Sequence, residues 1–169
     1  MNAVLESWNQ ADEASATEAM LACCGAHRWA AQMIALRPIA NIAALSEAAD
    51  QIWAAMKEAD WMEAFACHPR IGDRKVAPLS EKSTAWSLQE QVGTSGATND
   101  VMRELANGNA KYEQRFGFIY IVCATGKTAD EMLTILKRRL ANDRVAELKE
   151  AAEQQRQITQ IRLGKWLVS

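Results

Sequence analysis

The chain has 169 residues, is 49% apolar with six tryptophans, and carries a formal net charge of −2. That length fits one domain burying about 70% of its extended surface, and the composition excludes a disordered chain. The near-neutral charge argues against a nucleic-acid or anionic-membrane partner, and no apolar run is long enough to span a membrane.

Helix signals dominate the N-terminal third. Asn2 caps a first helix carrying Val4, Leu5 and Trp8. Ser15 and Glu18 have the spacing of a capping box for a second helix, which Gly25 stops. Trp29, Met33 and Leu36, spaced by about four and three, predict a third helix ended by Pro38. A fourth, over residues 42–57, sets Ile42, Leu45, Ala49, Ile52, Trp53 and Met56 on one face. Asp60 and Glu63 give a further box, opening a short helix that runs towards His68.

The pattern breaks at Cys67-His68-Pro69-Arg70-Ile71-Gly72-Asp73. Pro69 pushes His68 out of the helical region, so the imidazole sits at a stiff corner, and Gly72 supplies the freedom for a tight turn. Histidine, with an unperturbed pKa of about 6.5, exchanges protons near neutrality, and the chain has only two. From these residues alone the corner is either a proton-transfer site or a plain surface turn. Residues 69–82 show no period and read as a loop long for a compact domain, a kind that often carries function.

A short helix follows from Thr84 to about Gln91, closed by Gly93 and the turn at Gly96. Ser87, Glu90 and Gln91 lie at i, i+3 and i+4 and share a face. A hydroxyl, a carboxylate and an amide so placed make either a solvated surface or the polar wall of a site. Asn99 or Asp100 caps a longer helix through Met102, Leu105 and Tyr112. Residues 116–124, Phe-Gly-Phe-Ile-Tyr-Ile-Val-Cys-Ala, are β-branched and aromatic and read as a buried extended segment. No second such segment exists to pair with it, so its backbone amides need other partners, a ligand included. Thr128 and Glu131 then box a helix with Met132, Ile135, Leu136 and Leu140. Asn142 caps the last helix, whose core face carries Val145, Leu148, Ala152, Ile158 and Ile161.

The expected fold is all-α: a single multi-helix domain over residues 1–169 with one isolated buried extended segment near 116–124. The four cysteines, Cys23, Cys24, Cys67 and Cys123, form no Cys-x-x-Cys pair and read as reduced thiols of a cytoplasmic protein. No basic-then-apolar leader precedes the first helix, and Leu167-Val168-Ser169 is not a peroxisomal signal. Gly126-Lys127-Thr128 invites a phosphate-loop reading, but Ile121 stands where that motif needs its first glycine. His27 and His68 give no zinc spacing, so no metal site is expected.

Taken together, the motifs resemble a known family. His68-Pro69-x-Ile71-Gly72, Ser87-x-x-Glu90-Gln91-x-Gly93, Phe116-Gly117-Phe118, Glu131-x-Leu133-x-x-Leu136-x-x-Arg139-Leu140-x-Asn142 and Ile158-x-x-Ile161-Arg162-Leu163 occur in this order, with Trp29 and Arg37-Pro38 upstream. This resembles the decarboxylases of 2-oxo-4-hydroxy-4-carboxy-5-ureidoimidazoline (OHCU), which complete the conversion of urate to (S)-allantoin. The chain departs from the family at Ile39, often Phe, at Ile119, often Pro, and in the turn after Gly93. The resemblance implies an all-α, cofactor-free, usually homodimeric enzyme of purine catabolism acting on a small-molecule ureidoimidazoline. His68 is then the catalytic proton donor, posed by Pro69, and Glu90 acts beside it. Ser87 and Gln91, with Leu88 and Gln89 between, line the pocket. Backbone groups of Phe118, Ile119, Tyr120, Ile121 and Val122 meet the ureido and ring atoms, and Arg162 anchors the substrate.

The residue types suit that chemistry. The OHCU carboxylate sits on a carbon adjacent to a C=N group, so the substrate is its own electron sink. The protein need only orient the carboxylate, stabilise ring charge and deliver one proton to one face. Glu90 either holds the His68 tautomer or disfavours the substrate carboxylate by like charge. Arg162, fork-shaped and always charged, suits planar recognition of ureido or carboxylate oxygens. The competing readings are a cofactor-free hydrolase of a related cyclic ureide and a helical interaction module.

Overall fold

A computed structural model describes residues 1–72 and 81–169 and, of Glu81, the backbone only. Residues 73–80, which hold most of the expected loop at 69–82, lie outside the described residues. The regular elements among the described residues are all helices, without strand: α1 (Ala3–Gln10), α2 (Glu13–Cys23), α3 (His27–Ala35), α4 (Ile42–Ala54), α5 (Glu58–Phe65), α6 (Glu81–Glu90), α7 (Asn99–Phe116), α8 (Ala129–Arg139) and α9 (Arg144–Trp166), with a 3-10 turn at Val92–Thr94. They fall into two compact units, Met1–Ala64 with Arg156–Ser169, and Phe65–Gln155. No described helix is long and apolar enough to cross a membrane.

The first unit is built on Trp8 and Trp29, whose rings are buried and whose N–H groups are satisfied. Trp8 donates to the Ala16 carbonyl and Trp29 to that of Ala49, each at 3.1 Å. Trp8 also meets Trp166 edge to face, with ring centroids 6.0 Å apart. Arg37 ties the end of α3 to α1, its Nη1 donating to the carbonyls of Trp8 and Ala11 at 2.8 Å each. Leu5, Met20, Met33, Leu45 and Trp53 complete this core.

Several boundaries differ from the sequence reading because neighbouring residues compete to cap. Asp12, not Ser15, caps α2 by accepting from the Ser15 amide at 2.8 Å. Asp60 does not open α5; it is the third residue of the helix, and its carboxylate reaches back to the Lys57 amide at 3.1 Å. Thr98 rather than Asn99 or Asp100 caps α7. Asp143 rather than Asn142 caps α9, accepting from the Ala146 amide at 2.8 Å. Three residues placed on core faces point outwards: Leu36 just beyond the last turn of α3, Ile42 at the first position of α4, and Val145 in the first turn of α9. At a helix end the apolar stripe has not yet met its neighbour, so periodicity overextends there.

The second unit packs α7 against α8 around an aromatic cluster. Tyr112 meets Phe116, Phe118 and Tyr120 with centroids 4.6, 5.8 and 5.5 Å apart. Gly108 lets the two helices approach, since a Cβ there would lie 2.6 Å from a Leu136 methyl. Phe116 still belongs to α7, and Gly117, at φ +82°, closes it in the left-handed conformation. The extended segment therefore begins at Phe118, two residues later than periodicity suggests. Residues 118–124 are non-helical and, apart from half-buried Ile119, buried. Thr128 and Glu131 form the expected capping box of α8.

Candidate active site

The corner after α5 is built as its proline demands. The His68 amide closes a turn on the Phe65 carbonyl at 3.2 Å, and Pro69 takes the chain away from the helix axis. The imidazole is half-buried, with Nε2 donating to the Gln155 amide oxygen on α9 at 2.6 Å. An amide oxygen only accepts, so this bond requires a proton on Nε2 and fixes the ring's orientation. Sequence reading missed Gln155, which is fully buried inside a long polar helix.

Three further contacts fix the turn beyond Pro69. The Gly72 amide donates to Gln91 Oε1 at 2.8 Å. Asn109 Nδ2 donates to the Ile71 carbonyl at 3.3 Å. Arg70 forms a two-point pair with Glu113 at 2.8 and 2.7 Å. Gln91 thus joins the His68 corner to the end of α6. The buried polar residues of α6, Ser83, Ser87 and Glu90, recur every three or four positions and share one side. Leu88 and Gln89 are exposed and Gln91 is half-buried.

The 3-10 turn after α6 abuts the exit of the buried segment. A Cβ on Gly93 would sit 2.0 Å from the Lys127 carbonyl oxygen, so only glycine permits that approach. The segment is tied back to the corner by the Phe65–Phe118 ring contact at 5.5 Å and by adjacent residues of α9. Gln155 holds His68, and Gln154 Oε1 accepts from the Cys123 amide at 2.8 Å. The His68 corner, α6 and residues 118–124 therefore form a closed set of contacts inside the second unit.

Behind the segment lies a buried polar network. Arg139 forms an ion pair with Glu147, both essentially unexposed, and its Nη1 donates to the Ile121 carbonyl. Tyr112 Oη donates to Glu147 Oε1 at 2.6 Å, and Asn142 Nδ2 donates to Glu147 Oε2 at 3.1 Å. Tyr120 Oη donates to the Met132 carbonyl at 2.9 Å. Burial pushes both tyrosine hydroxyls well above the ordinary tyrosine range. Arg139 belongs to a motif the sequence displays, but its task is set by partners distant in the chain. By contrast, the backbone N–H groups of residues 118–122 have no hydrogen-bond acceptor among the described residues. Buried amides so left are rare in proteins.

Arg162 lies in the first unit, 4% exposed, with Nη1 donating to the Ala22 carbonyl at 3.4 Å. Among the described residues no three His, Cys, Asp or Glu side chains gather as a metal site.

A family model described as OHCU decarboxylase matches residues 9–164. The chain is 37% identical to the "Uric acid degradation bifunctional protein TTL" of Arabidopsis thaliana over 85% of its own length, yet spans only 44% of that protein. It is 28% identical to the "2-oxo-4-hydroxy-4-carboxy-5-ureidoimidazoline decarboxylase" of Amia calva, covering 75% of this chain and 73% of that one. Among solved structures it is similar to one of an OHCU decarboxylase in the presence of (S)-allantoin, with TM-score 0.78 and 32% identity, over 90% of this chain and 99% of the other.

Proposed function

Since the chain belongs to the OHCU decarboxylase family, we propose that it converts OHCU to (S)-allantoin and CO2, the last step of urate-to-allantoin conversion. The observation that carries the reading is the pairing, in one unit, of an oriented histidine with a buried run of unpaired backbone amides. One is a proton donor, and the other is a set of hydrogen-bond donors for a flat, carbonyl-rich ring.

In the proposed reaction the bond between ring carbon and carboxylate breaks, and CO2 leaves. Its electron pair moves towards the adjacent C=N, whose nitrogen takes up negative charge. The former imine carbon then accepts a proton on one face, while the hydroxyl-bearing carbon becomes a carbonyl and its O–H proton passes to the ring nitrogen. His68, oriented by Gln155 and stiffened by Pro69, supplies that proton. Ser87, Glu90 and Gln91 wall the pocket with Leu88 and Gln89 on the same helix, and residues 118–122 offer backbone donors. Arg162 serves as an anchor for substrate oxygens. The reading takes the protein as one catalytic domain over residues 1–169, a cytoplasmic homodimer that needs no cofactor.

The test is freshly generated OHCU, its loss followed by ultraviolet absorbance and its product by circular dichroism. Turnover faster than spontaneous decay, with (S)-allantoin alone formed, is expected. Decay at the uncatalysed rate, or a racemic product, would overturn the proposal. Sedimentation of the purified protein tests the dimer.

A further inference from the structure

Val122 is 5% exposed, yet among the described residues neither its N–H nor its C=O has a hydrogen-bond partner. Its two neighbouring peptides, however, are both held. The Ile121 carbonyl accepts from Arg139 Nη1, and the Cys123 amide donates to Gln154 Oε1 at 2.8 Å. In a planar trans peptide the C=O and the following N–H point in opposite directions. Holding the Ile121 oxygen on Arg139 therefore aims the Val122 N–H away from Arg139. Holding the Cys123 N–H on Gln154 likewise aims the Val122 C=O away from Gln154.

Both anchors are organised by one face of α9. Glu147, which holds Arg139, and Gln154 are seven residues apart, about two turns, so their side chains leave the helix on the same side. The guanidinium is itself over-determined. It pairs with Glu147, lies 3.3 Å from the Tyr112 hydroxyl, and stacks over the Tyr120 ring at 5.0 Å. A group held by so many contacts does not follow the ligand; the backbone it grips is set beforehand.

We propose that Arg139 and Gln154 are positioning residues that turn Val122 into a preset donor–acceptor pair for the ureide or imidazolone edge of the substrate. Such an edge carries an N–H and a C=O side by side and answers both groups of one residue. Arg139 and Gln154 touch no substrate; they act through the peptides on either side of Val122. The inference rests on the proposed decarboxylation and specifies how the pocket recognises its ligand.

The experiment compares Gln154→Leu and Gln154→Glu with wild type for melting temperature, kcat, KM for fresh OHCU and Ki for (S)-allantoin as a competitive inhibitor. Gln154→Leu removes the acceptor for Cys123; it is expected to raise KM and Ki together about tenfold, with kcat within twofold and melting temperature little changed. Gln154→Glu keeps an acceptor oxygen for Cys123 but turns the donor that serves Glu150 Oε1 at 3.2 Å into a second carboxylate, so it is expected to raise both constants less than Gln154→Leu does. Arg139→Lys reads the same device from the other peptide, because an ammonium cannot serve Glu147, Ile121 and Tyr112 at once. Its KM and Ki are expected to rise in parallel. If one variant fails to fold, the other decides. Unchanged KM and Ki in a folded Gln154→Leu or Arg139→Lys protein, or a loss confined to kcat, overturns the positioning role and leaves the decarboxylase reading intact. A wild type that does not turn over OHCU removes both.

Discussion

Gln155 Oε1 lies 2.6 Å from His68 Nε2, across 87 residues of sequence. The short bond orients the imidazole from a fully buried helix position. It also makes Gln155 a lever on the protonation of His68. Gln155→Glu puts a carboxylate beside the ring, which favours imidazolium and raises the histidine pKa. A general acid works only below its pKa, so the alkaline limb of the kcat profile is expected to move to higher pH. His68→Asn is expected to lower kcat about 10²–10⁴-fold while leaving a folded protein. The pH–rate profiles of wild type and Gln155→Glu, with turnover of His68→Asn, check both; superimposed profiles would detach Gln155 from the chemistry.

Arg162 combines burial with a planar charge, the pattern of a ligand anchor and of a structural clamp on the Ala22 carbonyl alike. If it anchors substrate oxygens, its loss costs about 2–5 kcal/mol of transition-state binding, and lysine does not rescue it. Arg162→Lys is expected to melt close to wild type with kcat/KM reduced at least 30-fold, the lower end of that range being about 2 kcal/mol. Calorimetry and steady-state kinetics on the Lys and Ala variants separate the roles. A Lys variant of normal activity would make Arg162 structural.

The Arg139–Glu147 pair is buried on both sides, so its halves cannot be removed independently without penalty. Glu147→Ala leaves the guanidinium uncompensated and strips the Tyr112 hydroxyl and the Asn142 amide of their acceptor. A loss of about 3–5 kcal/mol of stability is expected. Urea titration of the variant against wild type measures it, and a change below about 1 kcal/mol would show that the network relaxes around the gap.

Tyr112 and Tyr120 are the only tyrosines of the chain, and burial raises the pKa of both. The sign of the linkage follows. Unfolded tyrosine loses its proton near pH 10, whereas the folded groups keep theirs, so above that point the unfolded state binds fewer protons. Their contribution to stability is complete below about pH 10 and declines as pH rises beyond it. Alkaline titration followed by ultraviolet difference absorbance is expected to show phenolate appearing only together with loss of the helical circular dichroism signal. Phenolate formed near pH 10 in a folded protein would mean that one hydroxyl reaches water.

Much of the helical skeleton is legible in the chain because its signals are local. The Thr128–Glu131 box and the Asn2 cap each act across three residues, and both appear where the sequence puts them. Where neighbours compete, as Asp12 does with Ser15 and Asp143 with Asn142, the pattern names the region and the backbone selects the residue. The His68 corner and the polar side of α6 are visible for the same reason, since a proline and a three-four spacing are local facts.

The second half of the site has no such signature. Gln154 and Gln155 sit in a polar stretch of α9 that resembles a solvated face, and Glu147 looks like any acidic residue in a first helical turn. Tertiary packing decides that Gln155 meets His68, that Gln154 meets Cys123, and that Glu147 meets Arg139. A helix period fixes which residues share a side but not whether that side meets water or a buried backbone. The sequence by itself determined the helices, the histidine corner and the unpaired segment. Only the tertiary structure decided what holds them, because buried polar contacts join residues far apart in the chain and stabilise only once water is excluded from both partners.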